Sequence, residues 1–177
     1  MRLIILTVLM ALATSGCATI SPKHEVNIHM GLGKNVIRNQ LGLSSDPFER
    51  MLSGAYKLNI TENFYVKPEL GGYLAYGPGR KNSFYIGAIA GAQVDTVIGM
   101  YINAGLGPAF LTAPDSVVLS GHVQYLIEIG MGFCGEKLCL GGRYCHISNA
   151  HGFPLIGGPA PNRGMDVFQG QLSWKFN

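Results

Sequence analysis

Beyond its first twenty residues the sequence has no apolar run of about 20 residues, so no membrane-spanning helix is expected there. It is also short of charge. Asp, Glu, Lys and Arg make up 13% of the chain, about half of the quarter usual for soluble domains, which argues against a water-exposed helical enzyme. Its 13 basic and 10 acidic residues give a net charge of +3. The basic residues are scattered, and no nucleic-acid footprint results. Cysteine is sparse, with four residues. A zinc site built from Cys134, Cys139, Cys145 and His146 fails because successive strand side chains point to opposite faces. Cys139 and Cys145 fall on one side of a strand and His146 on the other.

What the sequence does have is glycine, 25 residues, and 47% hydrophobic residues arranged in short, evenly spaced patterns. These suit a single all-β domain. The N-terminus is of another kind. Met1-Arg2 leads into the apolar run Leu3 to Ala13, of signal-peptide length. That run ends in Thr14-Ser15-Gly16-Cys17, which resembles a bacterial lipobox with Thr14 in place of the usual Leu. Residues 1–17 are therefore expected to be an export segment with Cys17 as the candidate lipid-attachment site. Ordinary signal cleavage nearby is the alternative. Residues 18–177 are expected to form one β-barrel domain.

Eight strand-like runs follow, at about 24–33, 50–60, 64–75, 83–94, 98–108, 119–133, 139–148 and 165–176. Most alternate with period two and are bounded by Gly, Pro, Asn, Asp or Ser. The last is the clearest, with Phe168, Leu172, Trp174 and Phe176 against Gln169, Gln171, Ser173 and Lys175. The run at 83–94 is Gly/Ala-rich and alternates poorly. Links after the first, third, fifth and seventh runs are long, and those after the second, fourth and sixth are short. Runs of this length, an even strand count and alternating links predict an eight-stranded antiparallel transmembrane β-barrel of the bacterial outer membrane. Glu25, Lys67, Glu69, Glu128, Arg143 and Lys175 would line a polar interior. A lipocalin-like soluble barrel, apolar inside, is the competing architecture. Cys134 and Cys139 flank a short turn on the interior face and are the candidate disulfide; Cys145 has no evident partner.

The stretch Arg143-Tyr144-Cys145-His146-Ile147-Ser148-Asn149-Ala150 ends a strand and enters a loop. His146 and Ser148 share one face, roughly 6.6 Å apart along the strand. A serine needs a neighbouring base to act as a nucleophile at neutral pH, and the base needs an orienting acid. Asp166, early in the last run, is the candidate. Strand phase puts all three on the outside of the barrel, near the external end of adjacent strands. Polar groups on a lipid-facing surface are costly, and a substrate lying in the outer leaflet would account for them.

The string Tyr144 to Ala150, followed by Pro161-Asn162-Arg163-Gly164-Met165-Asp166 opening the final strand, resembles the lipid A 3-O-deacylase (PagL) family. The resemblance implies an eight-stranded outer-membrane barrel that hydrolyses the 3-O-linked acyl ester of lipid A in lipopolysaccharide, without a cofactor or metal. It implies Ser148 as nucleophile, His146 as general base, Asp166 as the acid and Asn149 as a contributor to oxyanion stabilisation. The chain departs from the family in three places: Asp166 stands where the family has Glu, His151 where it usually has Gly, and the loop over 149–164 is longer. A one-methylene-shorter acid is expected to reach His146 only if the strands allow it. Arg80, Lys81 and Arg163 fall in predicted external loops, where lipid A phosphates or solvent would meet them. A non-enzymatic barrel and an acyltransferase are the alternative functions, and the sequence leaves monomer and homodimer both open.

Overall fold

The structure is a computed structural model that describes residues 24–34, 49–74, 81–96, 98–114, 119, 121–149 and 164–176. Cys17, Arg80, His151, Pro161, Asn162, Arg163 and Asn177 lie outside the described residues. Eight strands follow in chain order: β1 (His24–Lys34), β2 (Glu49–Asn59), β3 (Phe64–Leu74), β4 (Ser83–Asp95), β5 (Met100–Leu111), β6 (Val123–Cys134), β7 (Leu138–Ser148) and β8 (Met165–Phe176). Each pairs antiparallel with the next, and β1 pairs with β8, which closes the barrel. Closure gives every strand two partners, which a sheet in hydrocarbon requires.

Alternation decides which face is out. Met30, Leu52, Leu70, Phe84, Leu106, Ile129, Leu140 and Phe168 are exposed, while Glu25, Lys57, Lys67, Glu69, Glu128 and Arg143 are buried in the barrel. An apolar exterior around a charged interior is the reverse of a lipocalin-like barrel and overturns that alternative. Aromatic rings gather at both rims. His24, Tyr56 and Phe176 cluster at one end, with His24 stacked on Phe176 at 5.8 Å. Phe110 and His122 stack at the other end, at 5.2 Å. Both ends thus carry ring groups suited to the membrane interfaces.

The interior is a packed polar core. Arg143 donates to Glu69 Oε1 (2.5 Å) and Oε2 (2.7 Å), Glu128 Oε2 (2.8 Å), Gln169 Oε1 (2.7 Å) and Ser53 Oγ (3.1 Å). Lys67 holds Glu128 at 2.5 Å and 2.7 Å, and the hydroxyls of Tyr65 and Tyr85 cap Glu128 and Glu69. Charges out of water are tolerated where each is paired and hydrogen-bonded. The rings need room. A Cβ at Gly91 would collide with the Tyr65 ring, and this glycine on the inward side of β4 is one cause of that strand's weak sequence alternation.

β5 departs from the sequence expectation at both ends, starting at Met100 where 98 was expected and running on to Leu111 where 108 was expected, and β6 starts at Val123 where 119 was expected. β5 starts at Met100, directly after Gly99, which has φ +80° and donates its N–H to Thr96 O at 3.0 Å. β6 starts at Val123, after Gly121 at φ +85°. Both glycines occupy the left-handed region that other residues avoid. The turn between β6 and β7 is joined by a Cys134–Cys139 disulfide, and Cys145 is free and buried.

Candidate active site

β7 carries the candidate groups because its two faces have different neighbours. Cys139, Arg143 and Cys145 point into the barrel and are buried. Tyr144, His146 and Ser148 have the opposite phase and are half-buried on the outer wall. Register sets their partners. His146 lies directly across from Asp166 on β8 and from Ile127 on β6, while Ser148 lies across from Tyr125. Tyr144 lies between Ile129 and Phe168. The polar groups are thus set into an otherwise apolar wall.

His146 Nδ1 and Asp166 Oδ1 are 2.7 Å apart, with the side chains 29% and 12% exposed. A carboxylate oxygen only accepts, so Nδ1–H is the donor and the lone pair of the ring is at Nε2. That tautomer suits a base working on a hydroxyl on the far side of the ring. Asp166 is short, yet it reaches His146. The two are a directly opposed cross-strand pair, where Cβ atoms lie only about 4.5–5.5 Å apart. The concern raised by the missing methylene is therefore answered by register. Asp166 Oδ1 also accepts a hydrogen bond from the Tyr144 hydroxyl, and the Tyr144 ring packs on Phe168 at 5.3 Å.

Ser148 stands two residues beyond His146 on the same outer face. Among the described residues no hydrogen bond joins them, a looseness common before substrate binds. Asn149 follows at the barrel's outer end and is buried, 2% exposed. Gly164, just before β8, covers the other edge of the His146 ring. It has φ +66°, and a Cβ there would lie 2.8 Å from Cε1 and 3.1 Å from Nε2 of His146. A side chain at 164 would occupy the space beside the basic nitrogen. Tyr144 and Gly164 were both visible as parts of the sequence strings without a role attached. Tyr144 has the strand parity of His146 and Ser148, which was the available signal. Gly164 gave none beyond being a glycine ahead of a strand.

A surface depression of about 1120 Å³ lies elsewhere, on the wall formed by β1 to β4, lined by Met30, Leu52, Gly72 and Phe84 among others. β1 is hydrogen-bonded to β8, but the lining includes no histidine and no residue of β7 or β8, so the depression does not compete as the reactive centre.

Comparison with known proteins follows this geometry. The chain is similar to the crystal structure of the outer membrane enzyme PagL, with a TM-score of 0.67 at 14% identity, covering 84% of this chain and 97% of that one. It also resembles a de novo designed transmembrane β-barrel, with a TM-score of 0.59 at 9% identity, covering 90% and 100%. The N-terminal barrel domain of Pseudomonas aeruginosa OprF matches with a TM-score of 0.55 at 11% identity, covering 88% and 100%. At such identities these likenesses speak for the fold. No curated protein matches the chain. The family model described as lipid A 3-O-deacylase (PagL) matches residues 53–175. That match takes in β3 to β7 whole, β8 up to Lys175 and most of β2, with every described group of the outer-wall site inside it. The chain is an outer-membrane β-barrel that belongs to the lipid A 3-O-deacylase (PagL) family, a family of ester hydrolases acting on lipid A.

Proposed function

We propose that this barrel hydrolyses the 3-O-linked acyl ester of lipid A at the outer wall of β7 and β8, with Ser148, His146 and Asp166 as a catalytic triad. The observation that carries the proposal is the 2.7 Å bond between His146 Nδ1 and Asp166 Oδ1, two residues along the strand from an outward serine. In the first half-reaction His146 Nε2 takes the Ser148 proton and Oγ attacks the ester carbonyl. The tetrahedral oxyanion is stabilised by Asn149, through its amide or the backbone N–H groups beside it. The intermediate collapses as His146 returns the proton to the departing sugar oxygen, leaving an acyl-serine. Water, deprotonated by His146, then releases the hydroxy fatty acid and restores Ser148. Asp166 holds the imidazole tautomer and its orientation throughout. Acyl chains laid along the apolar wall would align the ester with Ser148, which converts binding energy into proximity. All four groups lie on one chain, so the mechanism makes no demand for a homodimer.

Mass spectrometry of lipid A from a Gram-negative host expressing the protein tests this reading. Loss of one hydroxyacyl mass with the wild type, and none with Ser148→Ala or His146→Ala, is the expected result. Unchanged lipid A from cells containing a folded, heat-modifiable wild-type barrel would sink it in favour of a non-enzymatic barrel. Gain of an acyl mass would point to an acyltransferase.

A further inference from the structure

The Tyr144 hydroxyl donates to the same Asp166 oxygen that accepts from His146. We propose that Tyr144 is a positioning residue that holds the Asp166 carboxylate against His146. The inference rests on the triad reading above and adds a fourth member to it. An aspartate has two side-chain torsions, and a single hydrogen bond leaves its carboxylate able to turn about the second. A second donor on the same oxygen restricts that turn. The restriction matters because Asp166 is only 12% exposed, so little else can replace a lost partner.

Packing keeps the tyrosine in place. Tyr144 is the cross-strand partner of Phe168, and their ring centroids are 5.3 Å apart at an interplanar angle of 53°. Asp166 lies two residues before Phe168 on β8, on the same face. The hydroxyl therefore reaches Asp166 diagonally, a contact within the range of a long aromatic side chain. The ring explains why residue 144 is aromatic in this wall, but a phenylalanine would pack on Phe168 as well. Only the hydroxyl touches the acid, and that separates the proposed role from a structural one.

The test uses steady-state kinetics of the purified full chain in detergent with lipid A as substrate. It compares wild type, Tyr144→Phe, Asp166→Ala and the double variant, each first checked for the heat-modifiable mobility of a folded barrel. Tyr144→Phe is expected to lower kcat about tenfold, the size of one hydrogen bond to a charged group, and to leave KM unchanged. In the Asp166→Ala background the same change is expected to cost nothing further, because a residue acting through Asp166 has nothing left to position. Wild-type kcat for Tyr144→Phe beside an impaired Asp166→Ala overturns the role of Tyr144 and leaves the triad standing. A raised KM at unchanged kcat, or the same fold loss in both backgrounds, overturns it too. Full activity in Asp166→Ala sinks the triad itself. If the Asp166→Ala rate falls below detection, the kcat and KM of Tyr144→Phe alone decide.

Discussion

β7 presents two base–carboxylate contacts of opposite character on its two faces. On the inner face Arg143 is almost fully enclosed and donates to four residues, Glu69, Glu128, Gln169 and Ser53. On the outer face, three positions along, His146 meets Asp166 through Nδ1 while its ring remains partly open. Both set a nitrogen donor against a carboxylate. The inner one is saturated, so it has no capacity for another partner and serves to hold strands together. The outer one keeps a nitrogen and a surface available to an incoming molecule. Exposure and spare hydrogen-bonding capacity, more than residue type, separate a structural pair from a reactive one.

The comparison breaks most sharply if the outer pair can be removed without loss. Asp166→Ala is expected to lower the deacylation rate about 10³-fold or more while the barrel still folds, as removal of an orienting acid does elsewhere. Rates measured on purified protein check this. Asp166→Glu sharpens the point, since the longer acid must fit a register that already seats aspartate at 2.7 Å; a modest loss is expected, smaller than for alanine.

Gly164 guards the open side of the same pair. Gly164→Ala places a Cβ close to Cε1 and Nε2 of His146 and strains a backbone at φ +66°. Activity is expected to fall about 100-fold, comparable to a 1 Å misplacement of a catalytic group. Gly164→Asn separates the two causes, because asparagine tolerates the left-handed region but still carries a Cβ. Loss in both variants assigns the effect to the space beside Nε2. Recovery with asparagine would assign it to backbone strain.

The inner pair should show the reverse profile. Arg143→Met leaves Glu69 buried without its main partner and takes one bond from Glu128, which keeps Lys67, and breaking such a network typically costs about 3–5 kcal/mol. Denaturant unfolding in detergent is expected to register that loss. Per folded molecule, activity should fall far less than in Asp166→Ala. An Arg143→Met barrel as stable as the wild type would show that the interior network does not hold the strands.

The sequence made the outer wall legible for a physical reason. In a barrel immersed in lipid the polarity of the two faces is extreme, so seven of the eight runs show their phase, and phase alone put His146, Ser148 and Asp166 outside. β4 resisted because its inward glycines, such as Gly91 under the Tyr65 ring, and its outward alanines differ little in polarity. The starts of β5 and β6 were misplaced because apolar residues such as Ile98 and Leu119 continue the pattern beyond the turns at Gly99 and Gly121. Register was the missing quantity at the site. Alternation says that His146 and Asp166 share a wall. Only the pairing of β7 with β8 puts them face to face, and only then do the reach of the aspartate and the bond from Tyr144 follow.

The smallest effect belongs to the other end of β7. Cys134 and Cys139 are a directly opposed pair across the turn, already held by the β6–β7 ladder. Their bond closes a very short loop, and chain-entropy arguments give such loops the least stabilisation, at most about 2 kcal/mol. The ladder hydrogen bonds constrain the same residues, which reduces it further. Cys134→Ser with Cys139→Ser is therefore expected to lower the unfolding midpoint slightly and to leave the deacylation rate within about twofold, since a bare hairpin pairing still fixes the register. The site lies at the far end of the strand, with Gly141 and Gly142 between. A large loss of activity in the double serine variant, with the barrel still folded, would mean that the turn sets the β7–β8 register on which the His146–Asp166 contact depends.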